Sequence, residues 1–104
     1  MTLLFSLLWP LIFSLASSQE FKNYISPSNT KCNSSGYEQY VRNGDVSHTY
    51  DVTVEVKIDK PGGASTTEML VVNDIPPGGK KLVGCTISTS ADTLTYKIVA
   101  EKIK

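Results

Sequence analysis

A single histidine in 104 residues leaves little room for the commonest kinds of side-chain catalysis. Ser-His-Asp and Cys-His chemistry both need an imidazole base oriented by a third group. The one imidazole, His48, falls in the polar stretch Asp45-Val46-Ser47-His48-Thr49, which reads as a solvent-exposed turn. Ser47 beside it is a poor partner, because adjacent side chains on extended backbone diverge. Cysteine is almost as scarce, with Cys32 and Cys85 the only two. Bonded to each other they leave no thiol nucleophile. One histidine cannot then supply the three or four ligands of a zinc site. Asp59 and Asp74 lack the dense, spaced carboxylates of calcium loops. Gly62-Gly63 and Gly78-Gly79 lead into no helix whose N-terminus would hold a phosphate. They read as turns that need positive φ. The expectation is a non-enzymatic chain with no catalytic residues, no metal and no cofactor.

Charge of one sign is lacking as well. Ten Lys and Arg balance ten Asp and Glu, and Lys80-Lys81 is no more than a pair. Without a basic patch there is no electrostatic footprint for nucleic acid, and none for an anionic membrane. Helical periodicity is missing over any stretch of ten residues, and neither repeats nor low-complexity tracts occur. The length allows one domain. With 40% hydrophobic and 19% charged residues the composition is that of a globular chain, not a disordered one.

What is present begins with an uncharged apolar stretch, MTLLFSLLWPLIFSLA, over residues 1–16. Ala16-Ser17-Ser18 supplies small residues ahead of polar Gln19-Glu20. That is the pattern of a secretory signal peptide over 1–18, cut after Ser18. Only the α-amino group provides its positive charge. The stretch is shorter than the roughly 20 residues a membrane span needs, and Pro10 interrupts it. The expected product is a domain over 19–104 with no membrane anchor, secreted and extracellular, or periplasmic in a bacterial source. In that compartment Cys32 and Cys85 are expected to form one intramolecular disulfide.

The rest of the chain has a period of two. In Tyr50 to Ile58 every even position is apolar and every odd position, Asp51, Thr53, Glu55 and Lys57, is polar. Strand side chains alternate between faces, so this is a half-buried strand. Near the C-terminus Leu94, Tyr96, Ile98 and Ala100 are assigned to one strand face, with Thr95, Lys97, Val99, Glu101 and Ile103 on the other. Further strands are predicted over Phe21 to Ile25, Tyr37 to Arg42, Thr66 to Val72 and Lys81 to Ile87. Turns fall at Asn43-Gly44-Asp45, Asp59 to Gly63, Asp74 to Gly79 and Ser88 to Asp92. Six or seven short strands split by Gly/Pro turns predict an all-β fold, a single antiparallel β-sandwich. Cys85 is expected inward with Val83 and Ile87, and Cys32 in the loop that leads into a strand.

A short strand running into Asn43-Gly44, the alternating strand Tyr50 to Ile58, and Ile75-Pro76-Pro77-Gly78 ahead of a further strand together resemble the immunoglobulin-like domains of secreted and cell-surface proteins. The resemblance implies a module that binds an extracellular protein or surface glycan through loops or a sheet edge. Tyr40, Val99 and Ile103 are candidate contact residues on outer faces, and Asn33-Ser34-Ser35 matches the N-glycosylation pattern. A second reading is an extracellular hydrolase inhibitor. Asn33-Ser34-Ser35-Gly36-Tyr37 and Lys60-Pro61-Gly62-Gly63 look like two of the three loops by which some immunoglobulin-like proteins block cysteine proteases. This chain has no Pro after Asn33 and lacks an Arg-Pro-aromatic third loop. A third reading is a structural subunit that self-assembles through its edges.

Overall fold

The computed structural model describes residues 20–104, so the predicted signal segment and its cleavage point lie outside the described residues. Six strands follow one another: β1 Asn23–Lys31, β2 Tyr37–Asn43, β3 Tyr50–Asp59, β4 Ser65–Ile75, β5 Lys80–Cys85 and β6 Thr93–Ile103. They form two antiparallel sheets of order β1-β2-β5 and β4-β3-β6. The chain is an all-β sandwich, as its alternation requires.

The core follows from β3. Val52 and Val54 are fully buried, and they sit opposite Val72 and Leu70 of β4. With Tyr50, Val72 and Ile75 they face Val41 of the other sheet. Ile25, Val56, Val83, Tyr96 and Ile98 pack around them. Each fully buried Val or Ile contributes on the order of 1.5–3 kcal/mol relative to exposure. The strand with the cleanest alternation therefore becomes the centre of its sheet.

Three departures from the sequence expectation have local causes. The first strand runs to Lys31, not Ile25, and passes through Pro27. Proline's missing N–H is harmless there because β1 is an edge strand. In β6 one step on β3, from Val54 to Thr53, corresponds to two on β6, from Ile98 to Ala100. Val99 is thus the extra residue of a β-bulge, and the alternation slips by one beyond it. Leu94, Tyr96 and Ile98 face the core as expected. Beyond the bulge Ala100 pairs with Thr53 on the outer face, whereas Glu101 and Ile103 pair with Val52 and Tyr50 on the core face. Finally, β5 does not continue to Ile87 within its own sheet. The Thr86 N–H still donates to Tyr37 O (3.0 Å), while Thr86 O accepts from Leu94 N–H (2.8 Å) and Ile87 bridges to Thr93. The chain changes sheets at this corner.

Polar side chains close the opposite end. Buried Asn43 donates through Nδ2 to His48 O (2.8 Å) and reaches Pro76 O (3.1 Å), while its Oδ1 accepts from Asp45 N–H (2.8 Å). Glu101 accepts from the N–H groups of Lys22 and Asn23 and from Asn23 Nδ2, each at 3.0 Å through Oε1. A carboxylate displaced inward by the bulge thereby joins the last strand of one sheet to the first strand of the other.

Candidate functional site

The corner at Thr86 and Ile87 sets up one end of the sandwich. Cys32 lies just past β1, and its N–H donates to Gly36 O (3.1 Å) to close a tight turn. Asn33 shapes that turn from within. Its Oδ1 accepts from Ser35 N–H (2.9 Å) and Gly36 N–H (2.7 Å), and its Nδ2 donates to Ile87 O (2.7 Å). Cys32 and Cys85 form a disulfide, with Cα atoms 6.0 Å apart. Gly36 is required by space: a Cβ there would lie 2.6 Å from Cys85 Sγ and 2.9 Å from Ile87 N. Bridge, asparagine and glycine together fasten the turn onto β5.

A second turn, Ser88 to Asp92, stands opposite. Ser88 N–H donates to Asp92 O and Ala91 N–H to Ser88 O, both at 2.9 Å, and Ser88 Oγ accepts from Asp92 N–H (3.1 Å). Ala91 holds a left-handed φ of 68° to make it possible. The third turn, Lys60 to Ala64, lies beside the second, because Lys60 Nζ approaches Asp92 Oδ2 at 3.8 Å. Between the first two turns lies a cleft of about 280 Å³, lined by Asn33, Ser34, Ser35, Ile87, Ser88, Thr89 and Ala91. Hydroxyls and amides dominate, with Ile87 and Ala91 as the apolar part. These lining side chains offer hydrogen bonds and apolar contact.

The other residues singled out in the sequence sit elsewhere. Tyr40 lies on β2, donates its hydroxyl to Glu38, and has Lys80 Nζ 4.4 Å from its ring centroid. Val99 and Ile103 belong to the other sheet, Val99 half-buried in the bulge and Ile103 half-exposed at the strand end. The three do not lie on one sheet. Asn33 is half-buried, with the amide nitrogen that a glycosyl transfer would need already donating to Ile87 O. His48 is exposed, as expected of a loop histidine, and its Nδ1 lies 2.9 Å from Asp45 Oδ2. That same oxygen accepts from Tyr50 Oη (2.8 Å), and Asp45 Oδ1 accepts from Ser47 N–H (2.8 Å). These bonds pull the Asp45 carboxyl down to about 2 and push the Tyr50 phenol up to about 12, with the Ser47 amide the largest influence on Asp45. Asp45 is a brace for its loop. Among the described residues no three His, Cys, Asp or Glu side chains gather closely enough to hold a metal ion.

The structural role of Asn33 was missed in the sequence, where Asn-Ser-Ser drew attention as a modification signal. A usable sign was present: Asn three residues before Gly, directly after a bridged Cys, is asparagine turn chemistry. Nothing in the sequence marks Ser88 and Thr89 as facing it, since that depends on the sheet change at Thr86. Compared with known families, curated proteins and solved structures, the chain matches no family model, no curated protein and no solved structure.

Proposed function

We propose that this chain is a secreted, non-catalytic binding module that holds an uncharged segment of an extracellular protein or surface glycan between the turns at Asn33–Ser35 and Ile87–Ala91. The observation that carries the reading is the fastening of that cleft. A disulfide, a glycine that admits no side chain and an asparagine with three short hydrogen bonds hold one wall rigid, which lowers the ordering cost of binding. Secretion rests on the signal-like first 18 residues and on the oxidised cysteine pair. The strand order supports an immunoglobulin-like domain. Strands β1 to β6 correspond to A, B, C, C′, E and F of that fold, with sheets A-B-E and C′-C-F.

The second reading, inhibition of an extracellular hydrolase, is favoured by one observation. The turns at Asn33–Gly36, Ser88–Asp92 and Lys60–Ala64 share one end of the molecule, with the last two tied by the Lys60–Asp92 pair.

The test is capture from the surface and secreted fractions of the protein's own source, with the oxidised protein as bait. Thr89→Arg fills the cleft, and Leu82→Arg places the same charge on an exposed β5 position. A partner retained by Leu82→Arg and weakened at least ~30-fold by Thr89→Arg places binding in the cleft. Equal capture by all three baits removes the cleft from the mechanism. A captured hydrolase that loses activity stoichiometrically selects the second reading.

A further inference from the structure

An open sandwich has four edge strands, each a row of unpaired backbone groups able to accept another strand. Three of them here carry protection. β1 has Pro27, and its register with β2 shifts between Pro27 and Lys31. β5 has Lys80 and Lys81, and Val83 is an extra residue against β2. β6 has the Val99 bulge, Lys97 and Lys102, a bridge to Ile87 at one end, and the Glu101 link to β1 at the other.

β4 is different. From Ser65 to Val72 it pairs with Asp59 to Val52 without a register shift. It contains no Lys, Arg or Pro, and Glu68 is its only charge over that length. Met69, Leu70 and Val71 are consecutive and 62%, 37% and 55% exposed, so the strand is uncovered on both faces. Protection returns only at the far end, where the register shifts between Val72 and Ile75 and Lys81 Nζ donates to Asn73 O (2.7 Å).

We infer that this edge is a homodimer interface, in which β4 pairs antiparallel with β4 of a second copy about a two-fold axis at Leu70 to give one continuous six-stranded sheet. The occupant follows from the strand's complementarity to itself. Residues paired across an antiparallel two-fold must share a face, so registers differ by whole residues on the axis. With Val71 on the axis, Glu68 faces Asp74 of the other copy. With Met69 there, the two Glu68 carboxylates become diagonal neighbours, roughly 7–8 Å apart. With Leu70 on the axis, Leu70 meets Leu70 and each Met69 meets a Val71. Each Glu68 then faces Val72, and the two carboxylates lie four strand steps apart, roughly 13 Å, beyond the Debye length at physiological salt. The aligned segment Glu68–Val72 stops short of the irregular end at Asn73. Zero net charge removes any general repulsion between copies.

A single strand pair is a small interface, so the dimer should dissociate over the range of ~10 µM to 1 mM. Sedimentation velocity of the oxidised protein across that range, with amide hydrogen exchange at both extremes, tests this. The expected result is a monomer–dimer equilibrium with protection rising at Glu68–Val72. Met69→Lys and Val71→Lys, both at exposed positions, should each weaken it by at least ~10-fold. Leu82→Lys, on the β5 edge at similar exposure, should leave it unchanged. Circular dichroism confirms folding of each variant, and either β4 variant suffices if the other misfolds. A wild type that stays monomeric at 1 mM overturns the inference. So does association that Leu82→Lys abolishes and the β4 variants do not. Neither readout uses the cleft ligand, so failure here is separate from failure of the binding proposal.

Discussion

Asp45 shows how much one side chain does at the end of the sandwich away from the cleft. Its carboxylate accepts from the Ser47 amide and the Tyr50 hydroxyl and lies against His48, so folding favours its ionised form. Its folded pKa of about 2 lies below the unfolded value near 3.9, so its contribution to stability is full above that value and is lost as pH falls through about 2. Tyr50 behaves in the opposite sense. Its folded value of about 12 lies above the unfolded value near 10, so its contribution is full below pH 10 and fades as pH rises through 12. The thermal midpoint of Asp45→Asn should therefore differ most from wild type between pH 5 and 9. The gap should narrow both at pH 2 and at pH 12, and a gap independent of pH would rule the brace out. At this scale the sequence was only partly legible. His48 read correctly as an exposed loop residue, because no apolar pattern surrounds it. Asn33 read as a modification signal and Asn43 as part of a turn, and neither reading reached the bonds that fasten them, because their acceptors at Ile87 and Ile75–Pro76 are distant in the chain.

At the scale of elements, the bridge links the turn after β1 to the end of β5, across β2 and within one sheet. With the cysteines 53 positions apart in the chain, its loss frees chain entropy worth about 4 kcal/mol in the unfolded state. Reduction should lower the thermal midpoint by roughly 15–30 °C in a domain of this size. Scanning calorimetry with and without reductant measures this directly, and an unchanged midpoint would mean the bridge adds nothing. The strand pattern itself was legible wherever alternation was unbroken: β3 begins at Tyr50 as expected and overruns its predicted end by one residue. Bulges were not legible. Val99 is an ordinary β-former, and only its neighbours' pairing with Thr53 and Val54 reveals that it is extra. That one residue accounts for the mistaken placement of Glu101 and Ile103.

For the whole molecule, stability rests on a small core shared unequally between sheets, with Val41 the only fully buried side chain contributed by an apolar residue of β1-β2-β5. Ile75, fully buried at the end of β4, should cost ~2–5 kcal/mol when replaced by alanine in urea unfolding. Val46→Ala, at an 80% exposed site, should stay within about 0.5 kcal/mol. The two-sheet class was legible because alternation and turn residues agree along the chain, whereas the pairing of particular strands across sheets depends on contacts no local pattern encodes. The Glu101 link carries a consequence for biosynthesis. Its donors, Lys22 and Asn23, precede it by 79 and 78 residues, and β3 also awaits β6 as its second neighbour. A nascent chain can form the β1–β2 and β3–β4 hairpins as it emerges and add β5 to the first sheet, but the β4-β3-β6 sheet and its link to β1 stay incomplete until the last strand has left the ribosome. Until then β3 offers a second bare edge beside the unprotected edge of β4, and a chaperone that shields extended apolar segments would be most needed in that interval.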